Sequence, residues 1–208
     1  MTRKIVIAHY KENLDWCLNI KDKYDIKIYS KTNNNYNFLD NNKGNEVPMY
    51  LKYIIDNYND LPDRTMFLHG HNNSWHQDYE SKYIIENINW GTRDFFSVNK
   101  RSLYQEISKK YTLNENKNAF DDWIRKNWNI FQDKLIFPED GLFFYTGAQF
   151  VVSKKLILQY DIIFWKKLFD WVTSTNINNA ITSRIFEYTW HYIFTKNRIE
   201  EKISKILK

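Results

Sequence analysis

Apolar and polar positions change period several times along the first 70 residues. Lys4-Ile-Val-Ile-Ala-His9 is a short apolar run with β-branched residues, the pattern of a strand buried on both faces. Asn13 stands where an N-cap precedes a short helix, Leu14-Asp-Trp-Cys-Leu. Asp25-Ile-Lys-Ile-Tyr-Ser30 alternates with period two and predicts a second strand. Residues 32–45 read as a polar loop dominated by Asn. Pro48 suits a first helical turn, and Tyr50, Leu51, Ile54, Ile55 and Tyr58 then recur at helical spacing. Asn59-Asp-Leu-Pro-Asp63 ends that helix, and Thr65-Met-Phe-Leu68 predicts a third strand. Strand, helix, strand, helix, strand in this span predicts an α/β fold with a Rossmann-like, mostly parallel sheet flanked by helices.

The second half is less regular. Helices are expected around residues 101–110, 120–128, 154–171 and 178–194, followed by a charged tail to Lys208, and one more strand is expected over 147–153. No repeat or low-complexity linker divides the chain. Residues 1–208 therefore read as a single domain, with a Rossmann-like half (1–99) and a mainly helical half (100–208) carrying one or two strands.

Composition narrows the function classes. A length of 208 residues suits one domain, and a single cysteine, Cys17, excludes a disulfide framework and paired-cysteine zinc ribbons. Five Gly and three Pro argue against a disordered or glycine-loop-rich chain. The net charge of +5 comes from 30 basic residues scattered among 25 acidic ones, and only seven of the basic residues are Arg. Nucleic-acid sites show a clustered, Arg-rich stripe, so no nucleic-acid partner is expected. No stretch reaches the ~20 apolar residues of a membrane span, and the first apolar run is shorter than a signal-peptide core. The expectation is a soluble, cytoplasmic protein, in the host cytoplasm if viral. No GxGxxG, Walker A or GxSxG pattern occurs.

The five histidines fall in three places. His69-Gly-His-Asn-Asn-Ser-Trp-His76 directly follows the third strand, and ligands of open α/β sheets bind beyond the carboxyl ends of strands. Gly70 permits close backbone approach, while His69, His71 and His76 can coordinate a divalent metal or donate to a diphosphate. Glu187 and His191 share a face of the last helix at i,i+4, so Glu187 can act as a general base or orient the ring. His9, beside Tyr10, ends the first strand on the same sheet edge as His69. Tyr145-Thr-Gly147-Ala148-Gln149 offers a small-residue approach with one amide, while Phe143, Phe144 and Phe150 read as core. Trp75 and Tyr145 are the aromatics best placed to stack on a sugar.

In this order, Ile-Val-Ile-Ala-His-Tyr-Lys-Glu-Asn (5–13), the helix and turn at 50–62, Met-Phe-Leu-His-Gly-His (66–71), Gly-Ala-Gln-Phe-Val-Val-Ser (147–153) and Glu-Tyr-Thr-Trp-His-Tyr-Ile-Phe (187–194) resemble a family of viral, fungal and bacterial domains of unknown function. That family in turn resembles glycosyltransferases of the A-type fold, which implies a nucleotide-sugar-binding first half and an acceptor-binding second half. The resemblance implies that His9, Tyr10, His69, Gly70, His71, Trp75 and His76 meet the nucleotide sugar and its diphosphate. It implies that Tyr145, Gly147, Ala148 and Gln149 wall the donor sugar or acceptor, that Glu187 is catalytic, and that His69, His71 and His191 hold Mn²⁺ or Mg²⁺. The chain departs from the pattern at one point, with His69-Gly70-His71 in place of Asp-x-Asp. Asp78 and Glu80 follow nearby but open a helix, and imidazoles suit Mn²⁺ better than Mg²⁺.

The expected function is glycosyl transfer from a nucleotide sugar to a glycan or other hydroxyl acceptor. The alternatives are a metal-dependent hydrolase built on His69, His71 and His76, and a non-catalytic carbohydrate-binding or virion structural module.

Overall fold

The structure, a computed structural model, describes residues 1–91, 93–110, 119–202 and 207. Its elements in chain order are β1 (Arg3–His9), α1 (Asp15–Leu18), β2 (Ile26–Ser30), β3 (Asn37–Phe38), α2 (Val47–Asp56), β4 (Arg64–His69), α3 (Ser81–Asn87), β5 (Phe95–Ser97), β6 (Tyr104–Ile107), β7 (Leu142–Tyr145), β8 (Phe150–Ser153), α4 (Lys154–Ile157), α5 (Ile162–Ser174) and α6 (Asn179–Thr195). Six strands form one sheet in the order β3-β2-β1-β4-β8-β5, and β6 pairs with β7 separately. The β1–β2, β1–β4 and β2–β3 pairs are parallel, whereas β8 runs antiparallel to both β4 and β5. The expected α/β class with a mostly parallel, helix-flanked sheet is the one observed. Among the described residues no helix is long and apolar enough to cross a membrane.

The two faces of the sheet follow from the period of two along each strand. Val6, Ala8, Phe67, Phe150 and Val152 point into a large core with α2, α5 and α6. Ile5, Ile7, Met66, Leu68 and Val151 point the other way, into a smaller core with Cys17 of α1 and Ile84 and Ile85 of α3. Aromatic packing dominates the large core: Phe150 lies 5.2 Å from Phe67, 5.5 Å from Trp190 and 5.5 Å from Phe194, ring centre to ring centre. Truncating such a ring to Ala costs about 3–5 kcal/mol.

Helix starts carry the expected chemistry in the second half. Asn178 caps α6 by accepting from Ala180 N at 2.8 Å, and Asp161 caps α5 by accepting from Phe164 N at 2.9 Å. That second cap corrects the single helix expected over 154–171, because the chain breaks after α4 and restarts at Asp161. Asn13 is also displaced from its expected place: Leu14 is the residue before α1, and Asn13 Oδ1 accepts from Asp15 N at 2.7 Å one residue earlier.

Larger differences lie where pairing overrides local pattern. The helix expected over 101–110 is instead a 3₁₀ turn (Arg101–Leu103) running into β6, whose residues pair with β7. Residues 120–128 are helical but wide, a π-helix over Phe120–Arg125 followed by a 3₁₀ turn at Trp128–Ile130. The strand expected over 147–153 starts only at Phe150, since Gly147 and Ala148 have φ of +114° and +49°. Among the described residues, the 100–208 segment holds the strands β6, β7 and β8. The charged tail lies partly outside the described residues.

Candidate functional site

The first strand is followed leftward in the sheet by β2 and β3, and the chain then crosses through α2 to β4 on the other side. The carboxyl ends of β1 and β4 are therefore the point where strand order reverses, the crevice in which open α/β sheets bind ligands. A cleft of about 430 Å³ occupies it, lined by Ala8, Tyr10 and Glu12 after β1, Lys31 after β2, Asn45, Glu46 and Met49 at the start of α2, His69 and His71 after β4, and Asn42 and Asn179 at its rim.

Register decides which histidine enters. Ala8 pairs with His69 in the parallel β1–β4 ladder, so His69 lies on the large-core face with Ala8 and Phe67, and His9 lies on the opposite face. His9 is fully engaged there, with Nδ1 2.8 Å from Ser30 Oγ and Nε2 3.2 Å from the Glu12 carbonyl. The register thus places His9 and His69 on opposite faces of the sheet rather than together.

The loop after β4 folds back on itself. The ring centres of His69, His71 and His76 stand 5.3, 5.1 and 5.3 Å apart pairwise, and one ligand atom of each lies within 4.8 Å of the others. Backbone bonds close this loop: Ser81 N donates to Asn72 O at 2.7 Å, Lys100 N to His76 O at 2.8 Å and Trp16 Nε1 to Gly70 O at 2.7 Å. Gly70 is required by close approach, since a Cβ there would meet Glu12 Oε2 at 2.8 Å and Ala8 O at 3.2 Å. Glu12 is itself fixed by the Tyr10 N–H at 2.6 Å.

A supporting shell orients the rings. His69 N donates to Gln149 Oε1 at 3.0 Å, while Gln149 Nε2 lies 3.4 Å from both Asn99 Oδ1 and His76 Nδ1. Asn99 also hydrogen-bonds the His76 side chain, so the two amides together hold that ring in place. Nε2 of His69 and Nε2 of His71 are buried without a hydrogen-bond partner among the described residues.

Three imidazoles in contact, one buried and two half-buried, disfavour one another's protonation. Burial, then the charges of His76 and His71, hold His69 well below the usual range. Burial lowers His71 against the pull of Glu12, and burial with His71 brings His76 to about 4. The triad is thus neutral at pH 7, with two orphaned ring nitrogens, as metal ligation requires. A metal that accepts imidazole, such as Mn²⁺ or Zn²⁺, fits this donor set, and Mg²⁺ does not.

The other expected site residues separate from the cleft. His191 is not gathered with His69 and His71; the residue brought beside them is His76. The His191 ring stacks on Phe144, and its Nε2 meets the Arg198 carbonyl at 3.2 Å. Glu187, Tyr145, Ala148, Gln149 and His191 line a separate pocket of about 10 Å³, room for at most one water. Glu187 Oε1 accepts from Gly147 N at 2.7 Å, and burial raises its pKa against that bond and the charge of Arg184. Gly147 and Gln149 thus support the triad from behind, where they were expected to form a wall. Trp75 is 75% exposed and turned outward from the cleft, its ring edge-on to His76. Tyr10 alone of the expected aromatic contacts lines the cleft.

Sequence reasoning missed Glu46, Lys31, Asn42, Asn45 and Asn179 as cleft residues and Asn99 as a support. Glu46 was findable, standing two residues before the Pro48 that marks a helix start at the ligand edge of the sheet. Asn99 and Asn179 have no local signal, because their positions depend on long-range packing.

Fold and cleft together define an α/β protein with a three-histidine centre at its topological switch point. Residues 5–205 match the family described as protein of unknown function (DUF3431), and the chain belongs to that family. No curated protein matches the chain. Among solved structures, it is similar to the apo structure of the bifunctional glycosyltransferase WbbM, with 13% identity and a TM-score of 0.47 over 99% of this chain. The chain spans 46% of that protein's length.

Proposed function

We propose that the protein transfers a glycosyl group from a nucleotide-sugar donor to a hydroxyl of a glycan acceptor. The observation that carries this reading is the His69–His71–His76 triad, of which His69 and His71 line a cleft that also presents Lys31, three amides and two carboxylates. A nucleotide sugar asks for that mixture. Its diphosphate needs positive charge as it leaves, its hydroxyls need amide partners, and its acceptor needs a proton taken. His69, His71 and His76 would hold a divalent metal of the manganese or zinc class, which when bound supplies charge stabilisation to the departing diphosphate. Lys31, brought down to about 8 by burial, stays mainly cationic at neutral pH and adds to the positive field. Asn42, Asn45 and Asn179 offer donors and acceptors at the rim. Such donors are cytoplasmic metabolites, so the reading carries a cytoplasmic location with it.

Thermal-shift and nucleotide-release assays across UDP-, GDP- and CDP-sugars with Mn²⁺ test the reading. It expects one donor class to raise Tm and to release its nucleotide slowly, with both effects lost in His71→Ala. No shift and no release across the panel contradicts it.

One observation favours a second reading. Three neutral imidazoles with no carboxylate are the ligand count of a catalytic zinc centre with an open position, as in metal-dependent hydrolases. Tightly retained zinc with ester hydrolysis and no response to nucleotide sugars would select it.

A further inference from the structure

Resting on the glycosyl-transfer reading, we propose that Glu46, rather than Glu187, takes the proton from the acceptor hydroxyl. Glu46 precedes the first turn of α2 and lines the cleft together with His69 and His71, whereas Glu187 lines a separate and far smaller pocket. Oε1 of Glu187 accepts the Gly147 N–H at 2.7 Å. Among the described residues, the hydrogen bond that Glu46 accepts comes from its own backbone N–H, which leaves lone-pair capacity for a proton.

Charged and titratable groups surround Glu46 from each side. Glu187 approaches from α6 and Lys31 from the end of β2, and Tyr50 lies one turn along its own helix with a buried hydroxyl that has no partner among the described residues. Burial, aided by the negative charge of Glu187 and opposed by its own N–H and Lys31, brings Glu46 to about 7. A carboxylate of that strength shares a proton evenly at neutral pH, which suits a general base.

In the step, the acceptor O–H proton passes to the Glu46 carboxylate. The oxygen pair forms the bond to the anomeric carbon while the bond from that carbon to the diphosphate oxygen breaks, and its electron pair leaves on the diphosphate. The proton on Glu46 then returns to solvent through the cleft mouth. Glu187 acts as a positioning residue: its charge raises the affinity of Glu46 for the proton, and its bond to Gly147 holds the turn behind His76.

Two readouts test this. In the resting protein, a ¹³C NMR titration of the Glu46 carboxyl, assigned by its loss in Glu46→Gln, is expected to show a midpoint near 7 that falls in Glu187→Gln. With UDP- or GDP-sugars and Mn²⁺, Glu46→Gln is expected to release nucleotide at least ~100-fold more slowly while the diphosphate still raises Tm. Glu46→Asp should recover part of the rate with a displaced pH profile, which a merely structural role would not give. A midpoint below 5, or Glu46→Gln turning over at the wild-type rate, overturns the assignment of Glu46 alone. A wild-type protein that releases nucleotide from no donor overturns the transfer reading, and this step falls with it.

Discussion

Gln149 Oε1 accepts the His69 backbone N–H at 3.0 Å across 80 residues of sequence. The bond extends the antiparallel β4–β8 pairing past its last rung, Phe67 with Phe150, to the residue that starts the histidine loop. It ties the first residue of the triad to the paired strands at the centre of the sheet.

Gln149→Leu keeps the volume of a fully buried side chain and removes the acceptor. The His69 N–H is then buried without a partner, at a cost of about 1–3 kcal/mol. Loss of such a supporting contact weakens metal affinity about 10–100-fold. Urea unfolding and calorimetric titration with Co²⁺ measure the two effects separately.

Gly147→Ala should be worse for the site than its size indicates. The φ of +114° excludes ordinary side chains, and a Cβ would sit 2.5 Å from Asn99 Oδ1 and 3.2 Å from His76 Nδ1. The expected result is a stability loss above the roughly 1 kcal/mol typical of left-handed glycines, together with weakened metal binding. Circular-dichroism melts alongside Co²⁺ titration check both.

The legible part of the fold was the part governed by local period. β1, β2, α2 and β4 follow from runs and alternation in one short stretch, and Asn178 marks the start of α6. Tyr104-Gln-Glu-Ile107 was not legible as a strand, because its partner lies beyond residue 141 and its own sequence suits a helix equally. At the site, the close spacing of His69, His71 and His76 announced the triad. His9 and His191 looked equivalent to them by residue type, and only register and packing show that each is bonded elsewhere. Glu46 hid at the end of an Asn-rich loop.

Glu200 fastens the C-terminal segment to the sheets. Its oxygens accept from Ser97 N at 3.2 Å and Tyr145 N at 2.9 Å, and burial lifts its pKa from 4.5 to about 8 against those two bonds. Glu200→Ala leaves both N–H groups unpaired and should cost about 2–4 kcal/mol near pH 5. Because the folded value lies above the unfolded one, the wild type is favoured by this group below pH 4.5 and loses that advantage as pH rises toward 8. Unfolding free energies should therefore show the gap between wild type and variant narrowing from pH 5 to pH 9.

His191 works in the opposite direction. Burial holds it at about 4, opposed by the carbonyls of Arg198 and Asn197, so the unfolded chain takes up its proton first as pH falls below 6.5. Stability from this group is complete above 6.5 and declines to about pH 4, by on the order of 3 kcal/mol. His191→Phe, which preserves the stack on Phe144, should lose correspondingly less over that window in pH-resolved melts.

Metal stoichiometry in the wild type, His76→Ala and His191→Phe tests the central claim most directly. The structure predicts one Co²⁺ or Mn²⁺ per chain in the wild type and in His191→Phe, and loss of binding in His76→Ala with its fold retained by circular dichroism. Binding that survives His76→Ala but disappears in His191→Phe, or no binding by the wild type, would contradict it.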